Sequence, residues 1–340
     1  MLRHYFAPKY RYTAFGLNLA SATPIPGLDL LPATNAADLA IFLGAASTTY
    51  PSLDPSSWRS FYVSPYMGEF GIPILEVWRH ISTGEFRWRY DDGTEFFIDS
   101  DATTVLSRWP EDLSLADSAA YLLGPVMGFL LHRRGRLCLH ASAVAIKDVA
   151  IGILGPAGAG KSTTAAGFAR MGYPVISDDI AVIEPAVAAF MVQPGYPRLC
   201  LCPDAVDTLY GTLDALPLIS PNWDKRYLDL AGPEHIFQTS ALPLAAVYRL
   251  DDRSAAGFHP KFRDCTPRES LLDLLGNTYV NYLLEPGQRA SEFALLGRLV
   301  AQVPLRRVTP PEDHSRLSAF CQAVAEDFLA LARKSEVRTG

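Results

Sequence analysis

Apolar and polar residues alternate with one period in the first third of this chain and with other periods after it. Phe86, Trp88 and Tyr90 alternate with Arg87 and Arg89, which predicts a strand over 85–90 with one covered face. Residues 71–80 and 95–99 have the same strand-like composition, and Asp92-Gly93 between 85–90 and 95–99 predicts a hairpin turn. Residues 113–131 form the most apolar run and read as a buried helix linking two halves. Its most apolar part, 119–131, is too short to span a bilayer and holds Gly124-Pro125. Strands are predicted over 136–140, 141–146, 149–154, 174–177 and 244–250, and helices over 162–171, 267–284 and 313–332. Gly172 stands where a helix C-cap belongs. No internal repeat interrupts this order. The pattern predicts a two-domain α/β protein: a strand-rich accessory or substrate-presenting domain over 1–115 and a nucleotide-binding domain over 116–340.

Composition narrows the class. The chain has 340 residues, 49% apolar and 19% charged, within the range of a globular protein. A net charge of −6 and the lack of a dense Lys/Arg tract argue against a nucleic-acid partner. Arg133-Arg134-Gly135-Arg136 is the one basic cluster and reads as a solvated helix end. The first eight residues lack the apolar core of a secretory leader, so no membrane partner is expected. Cys138, Cys200, Cys202, Cys265 and Cys321 form no CxxC pair or disulfide framework. Cys200 and Cys202 are expected to share one strand face. A cytoplasmic, reducing location follows as the expectation.

The chemistry lies at residues 155–163. Gly155-Pro156-Ala157-Gly158-Ala159-Gly160-Lys161-Ser162-Thr163 fits the phosphate-loop pattern G-x-x-x-x-G-K-[ST]. An apolar strand precedes it and a helix-like run follows, the context that the motif needs. Glycines let backbone N–H groups curl round a phosphate, Lys161 adds a positive charge, and the Ser162 hydroxyl suits Mg²⁺. Asp178-Asp179 end the next strand, and His140 closes the strand before the loop's own. Two adjacent carboxylates can divide metal binding from proton removal, which is what phosphoryl transfer to a hydroxyl requires. His140 alone also fits a satisfied core residue.

Leu139-His140, the phosphate loop and Gly172-Tyr-Pro-Val-Ile-Ser-Asp178-Asp179 together resemble the catalytic core of HPr kinase/phosphorylase. His140 lies fifteen residues before Gly155, and Asp179 lies eighteen after Lys161, as in that family. The resemblance implies a fold related to phosphoenolpyruvate carboxykinase and ATP-dependent phosphorylation of a serine hydroxyl in a peptide or protein. It assigns the β/γ-phosphates to Lys161, Mg²⁺ to Ser162, the general base to Asp179, and a metal or water to Asp178. His140 would orient a carboxylate or phosphate. Arg226, with Lys225 and Arg198, is the nearest candidate for spreading transferred charge. Several positions depart from the family. Ala141 follows His140 where the family has Gly, the loop opens Gly155-Pro156-Ala157, and Gln193-Pro-Gly-Tyr-Pro-Arg-Leu199 replaces a Glu-bearing segment. The layout is closer to stand-alone HPr-kinase-like proteins among peptide-tailoring enzymes, such as lasso-peptide kinases, so HPr is not the expected substrate. The family's rings set a precedent for a homo-oligomer. Two other functions fit the same motifs: a small-molecule hydroxyl kinase, and a nucleotide-gated regulatory protein that transfers nothing.

Overall fold

The computed structural model describes residues 9–28, 36–44, 54–68, 71–253 and 260–339. The first eight residues, read above for a leader, lie outside these. The chain forms two compact units. The first comprises Met1–Arg134, Ile219–Trp223 and Val280–Glu285, and the second Gly135–Leu218, Asp224–Tyr279 and Pro286–Gly340. The linking helix therefore belongs to the first unit, and two short later segments return to it.

The first unit is built on an eight-stranded sheet: β1 (Tyr10–Ala14), β2 (Leu17–Ser21), β3 (Leu39–Leu43), β4 (Trp58–Val63), β5 (Leu75–His80), β6 (Phe86–Tyr90), β7 (Glu95–Ile98) and β8 (Thr104–Arg108). Their order is β1-β2-β3-β8-β7-β6-β5-β4. The predicted alternation holds: Phe86, Trp88 and Tyr90 are buried, and Arg87 and Arg89 are not. The turn after β6 is closed by the Thr94 N–H donating to Asp92 Oδ1 at 2.8 Å, with Gly93 at φ 87°. Phe129 packs its ring edge-on against Phe86 and Trp88.

Phe129 lies on a helical run with a break. α1 (Leu115–Tyr121) and α2 (Met127–Arg133) are joined by a π-turn, Leu122–Val126, in which Gly124 leaves helical geometry before Pro125. Proline removes a helix N–H and crowds the preceding turn, so the break falls where sequence requires it. The whole run, Leu115–Arg133, exceeds the 119–131 segment and is long and apolar enough to cross a membrane. Within the fold, 67% of its most apolar 18-residue window is buried. The basic cluster after it is structural. Arg133 donates to Glu285 at 2.7 Å, Arg134 donates to the Asp38 and Ala102 carbonyls, and Arg136 pairs with Glu184.

The second unit is a nine-stranded mixed sheet with helices on both faces, an α/β architecture. Its strands are β9 (Leu137–His140), β10 (Ser142–Ile146), β11 (Val149–Leu154), β12 (Val175–Ser177), β13 (Ile180–Pro185) and β14 (Phe190–Gln193), then β17 (Leu242–Leu250), β18 (Phe262–Asp264) and β19 (Leu305–Val308). A separate pair, β15 (Arg198–Leu201) and β16 (Arg226–Asp229), stands beside it. The helices are α3 (Lys161–Arg170), α4 (Pro203–Tyr210), α5 (Pro267–Gly276), α6 (Pro286–Gln302) and α7 (Leu317–Thr339).

β11 runs parallel to β17, and β17 parallel to β19. Ile151 and Ile153 of β11 join the core under α3 and α7, while Ala150 and Leu154 join the one under α5 and α6. A strand covered on both faces reads as a continuous apolar run, which is how 149–154 reads. α3 and α7 approach closely at Gly167, where an added Cβ would stand 2.8 Å from Cys321 Sγ.

Several expectations shift. The helix expected over 267–284 ends at Gly276, and the one expected over 313–332 begins at Leu317. Cys200 lies in β15, whereas Cys202 is the N-cap of α4, so the two do not share a strand face. All five cysteines are free.

Candidate functional site

β11 ends at Leu154 and delivers the chain into the loop 155–160, where Gly158 and Gly160 have φ of 79° and 98°. Only glycine adopts such angles without strain, so these positions are fixed by backbone shape. Gly160 is the N-cap of α3 and supplies no side-chain cap. Two other helices differ: α1 and α5 begin with complete capping boxes, Ser114 with Asp117 and Thr266 with Glu269. The first-turn N–H groups of α3 thus lack the side-chain acceptor that α1 and α5 have. They form the donor array that suits an anion at a helix start. The Lys161 side chain folds back along the loop, donating to the carbonyls of Gly155 at 2.9 Å and Pro156 at 3.2 Å. Burial pulls its ammonium below the usual lysine value, against the opposing pull of Asp179 and Asp178.

The two aspartates sit at a tight corner between β12 and β13. The Ile180 N–H donates to the Asp178 carbonyl at 2.7 Å, and the Ser177 hydroxyl donates to the Ile180 carbonyl. Asp179 has φ 63°, a left-handed conformation that Asp tolerates better than most residues. The corner sends the adjacent carboxylates to different neighbours.

Asp178 is 5% exposed. Its Oδ1 accepts from Ser142 Oγ at 2.7 Å and from Ser162 Oγ at 2.9 Å, and its Oδ2 accepts from the Cys200 N–H at 2.9 Å. Burial raises its carboxyl above the ordinary range, and those hydrogen bonds only partly offset this. Asp179 has a side chain 39% exposed; its Oδ1 lies 3.3 Å from His140 Nε2, and its Oδ2 accepts from Tyr279 Oη at 2.8 Å. Burial would raise its carboxyl too, but His140, Tyr279 and the charge of Lys225 outweigh that and leave it below the ordinary range. Adjacent carboxylates pushed apart in this way are suited to separate tasks.

His140 reaches Asp179 through sheet register. β9 pairs with β13 so that His140 stands opposite Ile180, and the His140 N–H donates to the Asn277 carbonyl at 2.7 Å. β10 intervenes between β9 and the loop's own strand, so His140 closes the strand two before that one. Arg226, by contrast, is turned elsewhere. It donates to the Leu216 carbonyl at 2.8 Å and lies 3.7 Å from Asp214. The neighbouring Lys225 is the cation whose field reaches Asp179 and Lys161. Arg198 stacks over the Tyr227 ring at 3.8 Å.

The segment 193–199 lines this corner. The Gly195 N–H donates to the Ile176 carbonyl at 2.8 Å, and a Cβ on Gly195 would stand 3.0 Å from Ser177 Oγ. Tyr196 Oη lies 3.8 Å from Cys200 Sγ, and burial first, then the charges of Asp178 and Asp179, push that thiol up to about 12. Ser142, Tyr279 and the Cys200 N–H were not singled out as site residues by sequence reasoning. Ser142 carried a faint signal, two residues beyond His140 in Leu-His-Ala-Ser. Tyr279 carried none, because it lies one hundred residues from the carboxylate that it contacts.

No family model matches the sequence. No curated protein matches it either. Among solved structures, the chain is similar to the HPr(Ser) kinase/phosphatase from Coxiella burnetii at 13% identity, over 57% of this chain and 98% of that one, with a TM-score of 0.32. So faint a likeness carries no argument about this site, whose case rests on its geometry.

That geometry can be tested against a metal. No group of three or more His, Cys, Asp or Glu is gathered to hold one among the described residues. Ser162 Oγ and Asp178 Oδ1, however, are 2.9 Å apart. That is the edge of an octahedron whose oxygens lie roughly 2.0–2.1 Å from Mg²⁺, an ion that usually takes one or two protein ligands and fills its shell with water and phosphate. The donor set fits Mg²⁺ shared with a phosphate.

Proposed function

We propose that the second unit is a phosphotransferase that binds ATP and Mg²⁺ at the loop 155–163 and passes the γ-phosphoryl group to a hydroxyl, that of a serine in a peptide or protein. One observation carries the reading. A phosphate-loop hydroxyl, Ser162, is bonded to Asp178, and the next residue, Asp179, is held toward His140 and Tyr279 instead. A protein that only bound nucleotide would have little use for the second carboxylate. The serine acceptor is taken from the sequence resemblance to HPr kinase/phosphorylase, and a cytoplasmic location belongs to the same reading.

Each residue has a task. Loop N–H groups and the start of α3 grip the phosphates, and Lys161 leaves the Gly155 and Pro156 carbonyls to pair with the outer ones. Ser162 and Asp178 would hold Mg²⁺, whose positive charge would offset the negative charge developing on the phosphates. Asp179, kept ionised by His140 and Tyr279, takes the proton of the acceptor hydroxyl. The hydroxyl oxygen then bonds to the γ-phosphorus as the bond to the bridging β–γ oxygen breaks, and ADP departs with that electron pair. Lys225, whose charge acts on Asp179, would help spread charge over the transferred group, the part for which it, Arg226 and Arg198 are the candidates.

The test is equilibrium ATP binding with and without Mg²⁺, followed by γ-label transfer to serine peptides offered beside a pool of hydroxyl metabolites. Mg²⁺-dependent binding with label on a peptide serine is expected. Label only on metabolites would replace the acceptor, and binding without any transfer would replace the reaction with regulation.

A further inference from the structure

The first unit carries an unassigned site at the edge of its sheet. β4 is the outermost strand, and among the described residues its backbone is paired on one side only, with β5. Arg59 on β4 stands directly opposite Arg79 on β5. Like charges placed cross-strand repel, so this pairing costs stability unless an anion lies between them. Arg79 donates to Glu285 at 3.0 Å, but Glu285 also takes Arg133 at 2.7 Å. Arg59 makes no ion pair among the described residues. These arginines border a concave site of about 450 Å³, completed by His80 and the turn 81–84, where the Ser82 hydroxyl lies 3.3 Å from His80 Nδ1 and the Thr83 hydroxyl donates to Glu85 at 3.0 Å.

The other end of β4 is different. Val63 is exposed there, beside exposed Tyr66, Met67, Ile72 and Ile74. A bulge between Ser60 and Tyr62 separates the cationic end from the apolar one. Charge on an edge strand commonly keeps it from pairing with other chains. That explains one exposed arginine, but not its place opposite a second one at a cleft, nor the apolar patch farther along the same edge.

We propose that β4 takes up an extended acidic peptide as an added strand, its carboxylates seated at Arg59 and Arg79 and its apolar side chains on Val63 and Ile74. Backbone hydrogen bonds to the open edge supply affinity, and the two ends of the strand supply direction. The site goes beyond the phosphotransfer reading and stands without it, because binding needs no nucleotide.

The experiment uses the full chain and a fluorescein-labelled peptide of about twelve residues, glutamate-rich at one end and valine-rich at the other, enough to run past the six residues of β4. Anisotropy is read without ATP or Mg²⁺. Binding should weaken several-fold between about 50 and about 300 mM salt. Arg59→Glu, an exposed change, should weaken it by roughly tenfold, with Arg59→Ala intermediate. Two further peptides carry N-methyl groups on odd or on even amides, and one of them should bind at least about tenfold more weakly at unchanged charge. Equal binding by both methylated peptides and the parent would overturn the strand pairing. Equal binding by wild type and Arg59→Glu, or full displacement by inorganic phosphate at matched ionic strength, would overturn the acidic-peptide site.

Discussion

Each unit buries carboxylates at its sheet, and the two units satisfy them differently. In the first, Glu95 has a side chain 6% exposed and sits between Arg87 and Arg108, each of which donates to it. Asp117, fully buried, accepts from four donors: the hydroxyls of Ser114 and Ser220, both at 2.6 Å, the Ser114 N–H at 2.8 Å and Asn222 at 3.0 Å. Burial works against Asp117, but those donors prevail and hold it below its ordinary range. In the second unit Asp178 is about as buried, yet it has two hydroxyls and one N–H and its carboxyl is pushed up. The first pattern is a closed account of charge. The second leaves a carboxylate favouring an added cation, beside a loop shaped for phosphate. Buried polarity signals function where its own partners fail to stabilise the charged form.

Substitutions can break this comparison at either end. The largest effects belong to the second unit. Lys161→Ala should lower transfer by about 10²–10³-fold, read as initial rate, with thermal unfolding unchanged or improved because a buried charge is lost. Next comes the carboxylate exchange. Glu95→Gln should cost about 2–4 kcal/mol, toward the low side for a buried pair because Arg108 is 36% exposed. Asp178→Asn should cost less than about 1 kcal/mol in the same denaturation measurement, yet abolish the Mg²⁺ dependence of ATP binding. Equal destabilisation by both would erase the distinction between structural and functional burial.

Smaller effects sharpen the contrast. Thr266→Ala removes the cap of α5 and should cost about 1 kcal/mol, whereas α3 has no side-chain cap to lose. Asp117 adds a pH dependence. Its folded carboxyl is lowered from 3.8, so its stabilisation is complete above that value and lost as pH falls through the lower folded one. Unfolding curves from pH 6 to below about 3 should therefore show an acid-side loss that Asp117→Asn reduces.

The sequence made the loop legible because its signal is local: strand, glycines, Lys161 and helix occupy consecutive positions. The Asp178-Asp179 corner was readable for the same reason. His140 was readable only as a spacing, since its meeting with Asp179 depends on the pairing of β9 with β13. Tyr279 was invisible because a contact across one hundred residues leaves no local trace. Arg226, Lys225 and Arg198 stood together as candidates because consecutive side chains entering a strand point to opposite sides, and composition does not say which faces the site. In the first unit the alternation over 85–90 fixed one face of β6, but the open edge at β4 follows from strand order, which no local pattern encodes.

Asp179→Asn in paired assays tests the central claim most directly: ATP affinity by calorimetry with Mg²⁺, and γ-label transfer to a serine peptide. Asparagine keeps size and one acceptor but cannot take the hydroxyl proton. The account predicts ATP affinity within about threefold of wild type and transfer lower by about 10²–10⁴-fold. Transfer at the wild-type rate would contradict it, and so would a loss of ATP affinity that accounted for the whole defect.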